Sequence, residues 1–349
     1  MIIRNTVSAL LLIVIMGMSA QADTVVLNPN YPNRYVVVKG DTLWDISARF
    51  LRDPWKWPDV WQVNPQIANP NLIYPGDVIS LIFRDGKPTL QVERGPAESN
   101  VVKLEPKVRV TTLEKPIPTL PTDAIEQFLL KAQVISPEES KKSGYIVSME
   151  EERLIGGTGN KIYARHLKQD PGGRYEVVRM GKVYRNPGAS KNDILGYEAL
   201  HIADARVDAY GDPSTLTLLK ASREALIGDR ILPAKDEMTI NYNFQPRAPD
   251  HQIQGKIIAL FDAVSRVGQY QVVVLNRGLN DGLRPGHVLA IYHAGATVRD
   301  TVADKGSELT LPDSRSGVLM VFRVFDKVSY ALIMTATRDI RLYDMVRNP

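Results

Sequence analysis

Apolar and polar positions change rhythm several times along this chain. Ala9 to Met18 is an almost unbroken apolar run behind a single cation, Arg4. Tyr35 to Val38 is a second, shorter run that reads as a strand. Leu43, Ile46 and Phe50 then recur at spacings of three and four, which is one face of a helix. Val60, Trp61 and Val63 predict a second short helix, starting near Pro58 and stopping at Asn64–Pro65, because a residue before proline avoids helical backbone. "VISLIF", Val78 to Phe83, reads as the closing strand. The order predicted over Arg34 to Phe83 is therefore strand, helix, helix, strand.

Past that point periodicity fades. Residues 84–121 carry six prolines and read as an extended linker. Such a segment can reach on the order of 100 Å. Residues 122–143 read as a helical segment, with Ile125, Phe128, Leu129 and Ala132 on one stripe. From Gly144 onward, short half-alternating runs are separated by Gly, Pro and Asp, the pattern of antiparallel strands. "ASREALIGDRI" (Ala221 to Ile231) and "ATRDIRLYDMV" (Ala336 to Val346) share a pattern and a preceding alternating strand. They predict two related β units, 144–233 and 252–349. The expected fold class is multidomain: a small α+β (βααβ) module followed by a mostly antiparallel-β region of two related units.

Composition adds a few boundaries. The chain has 349 residues, 44% hydrophobic and 23% charged, which is ordinary for globular domains. A net charge of +4, with no Lys/Arg stripe interleaved with aromatics, gives no reason to expect a nucleic-acid partner. Arg4, the apolar run and the Ala20–Gln21–Ala22 sequence together read as a signal peptide over residues 1–22, cleaved after Ala22. The mature chain is then expected in the periplasm with no membrane span. Asp23 to Asn33 reads as a loose leader rich in turn-formers. The chain has no cysteine, so thiol nucleophiles and disulfides are excluded.

Candidate chemistry is thin. His166 and Asp170 give H-x-x-x-D, half of a zinc-peptidase pattern, but no H-x-H accompanies it, and the five histidines are scattered. "GGTGNK", Gly156 to Lys161, lacks the G-K-[S/T] of a phosphate loop and reads as a hairpin. No G-x-S-x-G elbow is present. Neither an enzymatic activity nor a metal or cofactor is expected.

Two stretches carry a family resemblance. "VKGDTLWDIS" (Val38 to Ser47) and "NPNLIYPGDVISL" (Asn69 to Leu81) resemble, in that order, the two signatures of the LysM domain, a peptidoglycan- and chitin-binding module. The resemblance implies a shallow groove for N-acetylglucosamine, with Gly40, Asp41, Thr42 and Leu43 on one side and Leu72, Ile73, Tyr74 and Pro75 on the other. It implies Leu43 and Ile73 covering the sugar face. Thr42 also has a structural reading as a helix cap, with Asp45 three residues on. Trp55, Trp57 and Trp61 either extend the sugar platform or thicken a small core, the core being favoured for Trp61.

Two carboxy-terminal stretches, "VVVLNRGLNDGLRPGHVLAIYH" and "SGVLMVFRVFDKVSYALIMTATRDIRLYDMV", resemble the FlgT-like domain of flagellar accessory proteins. Signal peptide, LysM module, proline-rich linker and FlgT-like end together resemble the secretin-associated proteins of type IV pili, the TsaP family. That implies a non-catalytic adaptor between peptidoglycan and an outer-membrane secretin ring. The alternatives are a flagellar or general envelope adaptor with the same anchor, and a cell-wall hydrolase.

Overall fold

The computed structural model describes residues 25–61, 72–93, 117–130, 133–234, 244–261, 265–300, 302 and 306–349. The signal peptide and most of the expected linker lie outside these residues. The chain divides into two compact units, and Gly40–Leu43 group with the one that begins at Pro116.

In the first unit, β1 (Arg34–Val36) pairs antiparallel with β2 (Val78–Arg84). Between them come α1 (Leu43–Phe50), a 3-10 turn over Pro54–Lys56 and α2 (Trp57–Val60). The end expected for the second helix, Asn64–Pro65, lies outside the described residues. A third strand, β3 (Lys87–Glu93), pairs with β2. The linker expected to begin at Arg84 is thus corrected: Arg84 ends β2, and residues 87–93 belong to the sheet. Leu90 and Val92 point into the core, and Asp85 and Gly86, both left-handed, make the two-residue hairpin turn. The leader is corrected too. Leu27 bridges Leu51, Asn28 N–H donates to the Phe50 carbonyl at 2.9 Å, and Arg52 N–H donates to the Val26 carbonyl at 3.0 Å. The first of those hydrogen bonds satisfies a carbonyl that the C-terminal end of α1 leaves open.

The second unit opens with α3 (Thr122–Leu130), β4 (Gln133–Ile135) and α4 (Pro137–Lys142). The single helical segment expected over 122–143 is therefore interrupted by a strand, which pairs with residues 197–199 of a long strand further on. Ser136 accepts a bond from Glu139 N–H at 3.1 Å with Pro137 following, so a cap starts α4 independently.

Two six-stranded closures follow. The first uses β5 (Gly144–Met149), β7 (Lys161–Arg165), β10 (Ser214–Ala221), β9 (Ile194–Ala209), β8 (Arg174–Arg185) and β12 (Arg230–Pro233), paired in that order and back to β5. The second is a closed barrel of β13 (Gln254–Leu260), β15 (Val272–Leu275), β20 (Ser329–Ala336), β19 (Ser314–Val324), β16 (Val288–His293) and β22 (Met345–Arg347). All these pairings are antiparallel, and the long strands carry bulges that let the sheet curl shut. Each barrel is filled by its inward residues, Ile146, Val177 and Leu216 in the first and Ile257, Leu289 and Ile333 in the second.

The barrels are tied to each other by one buried and two part-buried polar contacts. Tyr184 and Tyr330 hydroxyls lie 3.3 Å apart, Asn276 donates to Asn186 at 2.8 Å, and Lys182 Nζ donates to the Leu260 carbonyl at 3.1 Å. Burial pushes both phenols above the ordinary tyrosine range. On α3, Phe128 packs edge-on against Phe261, Phe322 and Tyr330. Arg323 donates to the Phe128 and Leu129 carbonyls, supplying partners and positive charge at a helix C-terminus.

Candidate glycan-binding site

Val37, the residue just before the first signature stretch, bonds to the second. Its N–H donates to the Asp77 carbonyl and its carbonyl accepts from Gly76 N–H, both at 2.8 Å. These bonds set the loop after β1 beside the loop before β2.

The second loop is held by its own residues. Tyr74–Pro75–Gly76–Asp77 is a turn with proline at its second position and Gly76, at φ +95°, at its third. Asp77 N–H donates to the Tyr74 carbonyl at 3.0 Å, and the buried Asp77 carboxylate accepts from Tyr74 N–H at 2.9 Å. Gly40 holds φ +99° in the first loop. A Cβ at either glycine would meet no atom within 4 Å, so glycine is required by backbone conformation and not by space. Thr42 directly precedes α1, the position where side-chain oxygens cap helices, and Asp45 sits in the first turn, where a negative charge suits the helix dipole.

The eight expected contact residues separate by exposure. Gly40 is exposed, and Asp41, Leu72, Tyr74 and Pro75 are part-exposed. Thr42, Leu43 and Ile73 are buried, Ile73 completely. Leu43 and Ile73, expected to cover the sugar, are therefore corrected: their side chains pack inside. The surface that remains combines a carboxylate on Asp41 with apolar and aromatic faces on Leu72, Pro75 and Tyr74, a pairing suited to a sugar.

The structure decides the two tryptophans left open and differs from expectation at Trp61. Trp55 and Trp57 are buried with Trp44, while Trp61, favoured for the core, is half-buried and meets Trp57 edge-on at 5.9 Å. Asp77 was missed by sequence reasoning. Its signal was the Asp that follows Pro–Gly, placed to bond back to the start of the turn.

The hydrolase candidates are occupied structurally. Asp170 closes a turn by accepting from Gly172 N–H at 3.0 Å, and the His166 ring packs edge-on against Tyr145. Among the described residues, no group of three or more His, Cys, Asp or Glu is placed to hold a metal. "GGTGNK" turns from β6 (Ile155–Gly156) into β7, a strand and not a helix.

Residues 35–81 match the LysM domain family. This segment is a LysM domain. LysM domains bind peptidoglycan and related N-acetylglucosamine glycans, so the domain gives the chain a carbohydrate-binding function. Over 33 residues the chain is 52% identical to "Uncharacterized protein YqbP" of Bacillus subtilis (strain 168), covering 10% of this chain and 15% of that protein. The LysM match leaves the barrels unassigned. Among the described residues no helix is long and apolar enough to cross a membrane.

Proposed function

We propose that the chain is an exported, non-catalytic adaptor of the cell envelope, as in the TsaP family. Residues 1–22 direct export to the periplasm and are removed after Ala22. The LysM domain holds peptidoglycan through Gly40, Asp41, Leu72, Tyr74 and Pro75. The barrels attach to, or align, an outer-membrane secretin ring of the type IV pilus machinery. The observation that carries this reading is a LysM domain joined to a second unit in which two barrels are bonded to each other. A shallow sugar groove binds weakly alone, and several copies around one ring convert weak contacts into avidity.

The reading takes the barrels as copies of one unit. Matching turns support it. Leu226 N–H and Arg341 N–H each donate to the carboxylate three residues on, Asp229 and Asp344, at 2.8 Å. The third residue of each turn is left-handed, Gly228 in one and Tyr343 in the other. Ile146 and Ile257 N–H then donate to the Asp229 and Asp344 carbonyls, both at 3.0 Å.

The test is to immobilise the chain and pass over it a detergent extract of the source organism's envelope, identifying bound proteins by mass spectrometry. Recovery of a pilus-type secretin supports the reading. Recovery of a flagellar ring protein favours a flagellar adaptor with the same wall anchor, and recovery of neither removes the ring from the proposal.

A further inference from the structure

Outside each barrel lies a small two-stranded ribbon. In the first barrel, β6 pairs with β11 (Ala225–Leu226). In the second, β14 (Arg266–Val267) pairs with β21 (Ile340–Arg341). The ribbons match position for position. Gly156 and Ala225 face inward in one, Val267 and Ile340 in the other. The outward cross-strand pair is Ile155 with Leu226 in the first and Arg266 with Arg341 in the second. The ribbon's geometry thus accepts charged residues outside, and its apolar surface in the first barrel is a property of the residues placed there.

That surface is extended on both sides. Leu154, before Ile155, is 80% exposed, and Ile227, after Leu226, is 55% exposed. Single exposed aliphatics are common on proteins, but four adjoining ones form a patch of the kind that mediates contacts. The turn that presents Leu154 is strained. Glu151 and Glu152 both hold left-handed backbone, at φ +59° and +52°, which residues with a Cβ adopt rarely. Arg153 bonds Glu151 and Lys161 lies 3.6 Å from Glu150, so these three glutamates and two cations leave this edge with one net negative charge.

The second ribbon is its electrostatic complement. Arg266 and Arg341 reach the same Asp339 carboxylate, at 3.3 and 2.9 Å, so two guanidinium groups share one anion. With Arg338, they leave the edge basic. Beside them is a shallow depression of about 440 Å³, lined by Arg266, Val267, Ala336 and Arg338 among others. Arginine stems pack well against aliphatic side chains while their heads meet carboxylates.

We propose that this chain binds a second copy of itself head to tail, the Leu154–Ile155–Leu226–Ile227 ribbon of one copy docking on the arginine-lined depression of the next. Ribbon-to-like-ribbon pairing would set glutamates against glutamates or arginines against arginines. Opposite patches on one chain make a heterologous contact, which propagates into a ring or filament.

The experiment is sedimentation velocity on the full chain over about 1 to 500 µM, the range in which modest interfaces populate. Wild type is expected to show concentration-dependent oligomers that dissociate as salt rises. Leu154→Ser with Ile227→Ser, and separately Arg266→Glu with Arg338→Glu, are expected to weaken association at least tenfold. Mixing the two variants is expected to restore a one-to-one dimer, because each retains the patch the other lacks. A wild type monomeric throughout overturns the proposal, as do oligomers unchanged in both variants. A mixture that stays monomeric while both variants keep wild-type melting curves overturns the head-to-tail geometry.

Discussion

Replacing Ile73 by alanine separates a core role from a ligand role. The side chain is completely buried, and removing most of it costs about 2 to 5 kcal/mol, transfer and cavity together. A unit of about 60 residues holds only about 3 to 9 kcal/mol of stability. The substitution therefore consumes a large part of what keeps the LysM domain folded. For a domain of this size, a loss of 2 kcal/mol lowers the melting temperature by at least about 8 °C. The readout is selective within the full chain, because all four tryptophans lie between Trp44 and Trp61. Thermal unfolding followed by tryptophan fluorescence thus reports the LysM domain. Ile73→Ala should melt markedly earlier, and below its melting point it should still sediment with peptidoglycan sacculi. Wild-type melting combined with lost sacculus binding would refute the placement and return Ile73 to the sugar face.

Other substitutions have equally definite outcomes. Tyr74→Ala, at a part-exposed position, should weaken sacculus binding at least tenfold with a stability loss under about 1 kcal/mol, measured by co-sedimentation and fluorescence. Asp77→Ala orphans the Tyr74 N–H and should cost about 1 to 3 kcal/mol, read from denaturant unfolding of the tryptophan signal. Tyr184 and Tyr330 are buried as neutral phenols with raised pKa values, whereas in the unfolded chain they ionise near their ordinary pKa of about 10. The unfolded state gains from that ionisation, so barrel stability should be level below about pH 10 and fall above it. Tyr330→Phe should make the alkaline fall shallower, measured by near-ultraviolet circular dichroism.

Much of the LysM domain was legible because its signals are local. The apolar spacing of Leu43, Ile46 and Phe50 gave α1 with its buried face. The third strand was also written locally, as Asp85–Gly86 before alternating Leu90 and Val92, but the prolines further along gave the whole segment a linker's character. Burial of Leu43 and Ile73 was not legible. An aliphatic residue in a loop reads the same whether it faces a sugar or the core, and only packing decides. Barrel closure was hidden for a different reason. The β12–β5 and β13–β22 pairings join strands far apart in sequence, and no local pattern specifies which edges meet. The ribbon contrast between Ile155 and Arg266 emerges only once the two pairings are matched in space.

The central claim is that the LysM domain carries this chain's attachment to peptidoglycan. The direct measurement is co-sedimentation of purified sacculi with the full chain and with a chain lacking residues 34–93. The account predicts that the full chain pellets with sacculi, in a manner competed by soluble glycan fragments, and that the shortened chain stays in the supernatant. Equal pelleting of both, or no pelleting of the full chain, would contradict it.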